Sequence, residues 1–201
     1  LFYRGQNIAL LAVPEEVENI LKKAERKLDS EYSDIIFHLP RAFQDDFQDF
    51  GHSDWIEFKN DAQDLVKNYP EGKFDSKFYI DTNRTYGVLD YLIAQRENVD
   101  INDSNSFFYD GIKFENCKSG QGFSLIYWDL NILQKKKKIL DSLSFEKLYT
   151  FYDFRKMIDE GVYKIEQVNE NIEELQNVFI EVKKFLKYAI ELKGYVLVLK
   201  N

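Results

Sequence analysis

The sequence predicts an α+β fold, mostly helical, with a small mixed or antiparallel sheet. Three observations predict it. Apolar stripes at helical spacing outnumber short apolar runs suited to strands, their order along the chain is irregular, and a strand-like segment closes the chain after its longest helix. Residues 1–201 show no internal repeat, low-complexity block or interdomain linker, so a single domain is expected.

Ile8–Val13 is an apolar run suited to a buried strand. Pro14 follows at a helix start, where its missing N–H costs nothing. Glu15 and Glu16 then favour the helix dipole. Val17, Ile20, Leu21, Ala24 and Leu28 form one stripe. Ile35, Ile36, Phe37 and Leu39 form a patch broken by Pro40. Gly51–Ser53 reads as a turn into a second helix carrying Trp55, Phe58, Ala62, Leu65, Val66 and Tyr69, stopped by Tyr69-Pro70-Glu71-Gly72.

A third helix is expected from about Asp81, burying Thr85, Val88, Leu89, Leu92 and Ile93. The polar stretch 97–106 reads as a loop. Phe107–Tyr109 and Ile112–Phe114 flank Asp110-Gly111, a hairpin signal, and Phe123–Trp128 reads as a further strand. Asp129 is an N-cap candidate. The helix after it carries Lys135, Lys136, Lys137 and Lys138, which point in four directions and read as solvated, with stems across Leu133, Ile139, Leu140 and Leu143. Ser144 and Asp153 begin short helices, the second stopping at Gly161. A long helix runs from about Asn171 to Lys193, with Gly194 as its C′ residue and Tyr195–Lys200 as the closing strand.

Charge narrows the partners. The formal net charge is -8, and nucleic-acid affinity rests on neutralising phosphates, so neither nucleic acid nor an anionic membrane surface is an expected partner. A basic protein suits the charge better. The run Ile8–Val13 is too short for a signal-peptide core or a bilayer span. The single cysteine, Cys117, cannot form an intrachain disulfide, which favours a reducing compartment. The sequons at Asn83 and Asn102 are discounted because nothing else in the sequence suggests secretion.

Chemical motifs are few, and no cofactor is expected. Gly120-Gln121-Gly122 lacks the third glycine of a dinucleotide fingerprint, with Leu125 in its place, and reads as a glycine-rich hairpin. Asp100, Asn102 and Ser104 fit the start of a calcium loop, but Asn105 stands where glycine is required and Gly111 where glutamate is. His38 and His52 lack metal-ligand spacing, and no serine sits in a nucleophile elbow. Asp45, Asp46 and Asp49 read as solvated charges.

The Ile126-Tyr127-Trp128-Asp129 segment before a helix, then Phe151-Tyr152-Asp153, Met157, Gly161-Val162-Tyr163, the long helix and the Gly194-Tyr195-Val196-Leu197-Val198 strand resemble the YfbM-like family, bacterial proteins classed as a domain of unknown function. The strand before Pro14-Glu15-Glu16 fits too. The likeness spans most of the chain, with residues 30–75 aligned loosely. It implies an α+β fold and a bacterial, cytoplasmic setting, and no activity. The family's distinctive helix start has Asp-Lys, then Trp, then a histidine four residues on. Here the matching stretch is Asn83-Arg84-Thr85-Tyr86, with Asp90 in the histidine place.

Two functional readings follow. One is a non-enzymatic protein-interaction module, such as an inhibitor or immunity-type neutraliser, resting on acidity, abundant aromatics and the scarcity of catalytic motifs. The other is an enzyme or small-molecule binder with its site at Asn83, Arg84, Tyr86 and Asp90, where a helix N-terminus helped by Arg84 could hold an anion.

Overall fold

The computed structural model describes residues 8–27, 36–44, 51–82, 85–99, 106–118, 124–162 and 164–200. Within them, five strands form one antiparallel sheet: β1 (Ile8–Val13), β2 (Tyr79–Asp81), β3 (Ile112–Lys118), β4 (Ser124–Trp128) and β5 (Tyr195–Lys200). Their order is β2-β1-β5-β4-β3. The closing strand therefore lies in the middle, pairing Leu11 with Leu197 on one side and Tyr127 with Leu197 on the other. All six residues of β1 are buried, so both faces of the sheet are covered there. The α+β expectation holds.

One face receives α1 (Val17–Arg26), with α2 (Leu39–Phe43) and α3 (Ser53–Val66) beyond it. Pro14 to Glu16 form a tight turn, the Val17 amide donating to the Pro14 carbonyl, and α1 proper starts two residues later than Glu15. Val17, Ile20, Leu21 and Ala24 are buried as the stripe predicts, and Leu28 lies outside the described residues. Pro40 does not break the chain. It sits in the first turn of α2, where a missing N–H is harmless. Between α1 and α3, Lys23 meets Glu57 at 2.6 Å and Asp61 at 2.6 Å, and Lys27 meets Asp54 at 3.0 Å and also Glu57.

The other face carries α4 (Tyr86–Glu97), α5 (Leu130–Asp141), α6 (Phe145–Tyr149), α7 (Phe154–Asp159), α8 (Ile165–Glu170) and the long α9 (Ile172–Leu192). The cap predicted at Asp129 forms, accepting from the Ile132 amide at 2.8 Å, and Asp153 and Asn171, at the expected helix starts, cap as well, accepting from Lys156 at 3.0 Å and from Glu174 at 3.2 Å. From Tyr86 through Ala94 every residue of α4 is buried, so this helix runs through the core.

Four expectations are corrected. The helix expected from Asp81 begins at Tyr86, because Tyr79–Asp81 pairs with β1 as an edge strand. Phe107–Tyr109 is a turn, with the Asp110 amide donating to the Ser106 carbonyl at 2.8 Å, and the hairpin is β3–β4 instead, spanning the Gly120-Gln121-Gly122 segment, itself outside the described residues. Gly111 is needed for close approach: a Cβ there would lie 2.6 Å from the Ile126 side chain and 2.8 Å from Trp128. After α9 the left-handed residue is Lys193 (φ 58°), while Gly194 has a steric role, since a Cβ there would overlap the Val13 carbonyl. Lys136, finally, is not solvated.

Candidate functional site

The site is built on the first two turns of α4 and the turn 106–110. Thr82 donates to the Ile8 carbonyl at 2.6 Å and Thr85 to the Thr82 carbonyl at 2.8 Å, tying the start of α4 to the sheet. Tyr86 and Asp90 are four residues apart, so they share one face. Both are buried. The Tyr86 ring meets Phe108 and Tyr109 edge-on, and the Tyr109 hydroxyl donates to that of Tyr86 at 3.4 Å. Asp90 Oδ1 accepts from the Phe107 amide at 2.6 Å. The structure thus brings together Tyr86 and Asp90 of the four predicted residues. Asn83 and Arg84 lie outside the described residues.

Sequence reasoning missed Lys136, which belongs to the same corner. It is 3 % exposed, whereas Lys135 and Lys138 face solvent. Its ammonium donates to the Phe107 carbonyl, lies 4.6 Å from the Trp128 ring and 4.9 Å from that of Phe107, and reaches Asp110 at 3.9 Å. The turn is therefore gripped twice at one residue, its N–H by Asp90 and its C=O by Lys136. A signal existed in the sequence: Lys136 stands three residues after Leu133 and four before Leu140, in the middle of the buried stripe.

Burial dominates the electrostatics. It raises the Asp90 carboxyl to about 6, against the opposing pull of the Ser106 hydroxyl, the Phe107 amide and the Lys136 charge. Burial likewise lowers the Lys136 ammonium to about 8, with Asp110 and Asp90 opposing. Asp90 Oδ2 and Trp128 Nε1 are buried with no hydrogen-bond partner among the described residues. The corner can hold and exchange a proton near neutral pH. Cys117 is buried too, and desolvation, with Glu25 adding to it, pushes its thiol up to about 12, too high for a nucleophile. Among the described residues no group of three His, Cys, Asp or Glu could hold a metal ion, and no helix is long and apolar enough to cross a membrane.

Two open clefts lie on the opposite side of the sheet. One, of about 330 Å³, runs between α1 and α3 and is lined by Asn19, Lys23, Asp61 and Asn68 among others. The second, of about 210 Å³, lies between α1 and the sheet, with Phe114, Tyr127 and Tyr195 on its walls.

Fold and corner together define an α+β protein in which α4 and α5 fasten a tight turn, one through a buried acid and the other through a buried base. Comparison with known protein families gives the membership: residues 12–199 match the family described as a domain of unknown function, DUF1877, and the chain belongs to that family. No curated protein and no solved structure matches it.

Proposed function

We propose that this chain is a YfbM-like, non-enzymatic protein-interaction module of the bacterial cytoplasm, folded as one domain over residues 1–201, whose partner is a basic protein. The observation that carries the reading is a group of exposed apolar side chains on α6, on α7 and in the link between them. Tyr149 and Ile158 are each 42 % exposed and Phe151 is 38 % exposed, within ten residues of chain. The rings of Phe145, Tyr149 and Tyr152 stack in a row, at 5.9 Å and 5.1 Å between centroids. Tyr149 and Phe151, exposed aromatics backed by the buried Phe145, have the composition of an interface core. The net charge of -8 favours a basic partner.

The experiment is a pull-down of the tagged chain from its native host beside a Tyr149→Glu/Phe151→Glu variant. One stoichiometric basic partner, lost with the variant, is expected. Recovery of no specific partner, or of one that the variant retains equally, would overturn the reading.

A second reading places a small-molecule or anion site at Asn83, Arg84, Tyr86 and Asp90. The buried Oδ2 of Asp90, an acceptor with no hydrogen-bond partner among the described residues, favours a small molecule that brings a donor over an anion. Its test is a thermal-shift screen of small anions and metabolites, in which a hit must disappear in Asp90→Asn while that variant stays folded.

A further inference from the structure

We infer that the cleft between α1 and the sheet binds an organic ammonium ion, with the rings of Phe114, Tyr127 and Tyr195 as its walls and Glu25 as the counter-charge. The inference is independent of the α6–α7 surface.

Register puts the three rings on one side of the sheet. Ile112 pairs with Tyr127, so Phe114, two residues on, faces the same way as Tyr127. Tyr127 in turn pairs with Leu197, which shares a face with Tyr195. The rings do not stack flat. Phe114 and Tyr127 meet at 67° with centroids 6.1 Å apart, and Tyr127 and Tyr195 at 85° and 5.6 Å. Each pair meets edge to face, and all three rings line the cleft, where a ring face not taken up by a neighbour's edge attracts a cation. The tyrosines stay neutral: burial raises the Tyr127 hydroxyl, with Asp129 next, and the bond to Glu18 raises that of Tyr195 to about 12.

The fourth side is acidic. Glu18, Lys22 and Glu25 recur at four and three residues, so one face of α1 looks into the cleft. Glu18 is engaged twice, by the Tyr195 hydroxyl and by Lys22 at 2.7 Å. Glu25 makes no ion pair or hydrogen bond among the described residues, yet its charge acts on both Cys117 and Tyr127. A half-buried carboxylate in a cleft lined by three aromatic rings suits a soft, partly apolar cation. A hard metal ion would demand six or more oxygen ligands, which two carboxylates do not supply. The volume of about 210 Å³ falls below the ~300–1,000 Å³ of drug-sized pockets, which fits a small headgroup. Lys22 is then a tethered competitor for the same negative charge.

The ammonium group could belong to a free small molecule or to a methylated lysine side chain, and the test separates them. The full chain is titrated calorimetrically with choline, with the neutral tert-butyl isostere of choline, and with a short peptide carrying trimethyllysine. Saturable choline binding is expected, with the isostere weaker by about tenfold or more. Tyr127→Leu and Glu25→Gln should each weaken choline by about three- to thirtyfold, and Lys22→Ala should tighten it. Glu25→Gln is a surface change that leaves the core intact, so its result stands even if Tyr127→Leu fails to fold. A peptide at least about tenfold tighter than choline assigns the group to a protein side chain, and equal or weaker peptide binding assigns it to a free ion. Absence of saturable choline binding, equal binding of choline and isostere, or full retention in Glu25→Gln would overturn the inference.

Discussion

Lys27 and Lys136 both keep company with carboxylates, and their ammonium groups shift in opposite directions. Lys27 sits at the rim between α1 and α3, where bonds to Glu57 and Asp54 outweigh a small desolvation cost and raise its pKa. Lys23 shows the intermediate case: burial is its largest influence and lowers its pKa, yet Asp61 and Glu57 together raise it. Lys136 is deeper, its nearest carboxylate is 3.9 Å away, and desolvation wins. The rim pairs are an electrostatic gain that water largely screens. The buried corner is an electrostatic cost, tolerated because the same two groups secure both polar atoms of Phe107.

The contrast can be broken most forcefully at Asp90. Asp90→Ala strips the Phe107 amide of its acceptor and leaves the buried Lys136 with only the exposed Asp110, 3.9 Å away, as counter-charge, so a loss of about 3–5 kcal/mol is expected in urea unfolding. Lys136→Met should cost less, about 1–3 kcal/mol, since Asp90 can take up a proton. The Asp90→Ala/Lys136→Met double variant should then lose less than the two single changes added together.

The pH dependence sharpens the comparison. Asp90 titrates near 6 when folded, above its ordinary 3.8, so the folded chain holds more protons between those values and gains stability as pH falls through that window. Lys136 titrates near 8 against 10.5, so the folded chain holds fewer protons there and gains stability as pH rises from 8 to 10.5. The penalty of this corner is therefore greatest between pH 6 and 8. Relative to Asp90→Asn, the wild-type chain should gain stability as pH drops from 7 to 4. Glu57 behaves oppositely. Bonds to Lys23 and Lys27 lower its pKa, so its contribution is present at neutral pH and lost as acid protonates it. The smallest effect belongs to the rim: Lys27→Ala should cost about 1 kcal/mol or less and should fade in 1 M salt, while the Lys136→Met effect should not.

Much of the fold was legible because its signals are local. Asp129, Asp153 and Asn171 cap helices where their side-chain oxygens can reach amides three residues on. The stripe of α9 is read directly from Leu175, Val178, Val182 and Leu186. Failures came where long-range packing decides. Tyr79–Asp81 is too short to show alternation and is a strand only because β1 lies beside it. Phe107 to Tyr109 has the composition of a strand but is bent by Asp90 and Lys136, two groups distant in sequence. Of the candidate site, Tyr86 and Asp90 were visible through a family likeness. Lys136 was hidden among three solvated lysines that share its chemistry but not its place on the helix.

The position of β5 has a consequence for the order in which the chain can be assembled. Ile8 pairs with Lys200 and Val13 with Tyr195, so the middle of the sheet joins segments about 190 residues apart, the first synthesised well before the second. Until residues 195–200 leave the ribosome, β1 with β2 and β4 with β3 are two half-sheets, each with an unsatisfied inner edge. Such non-local closure is slow and leaves sticky intermediates. A fragment ending at Gly194 should accordingly sediment as associated species rather than as a monomer, its two half-sheets finding in other copies the strand they lack.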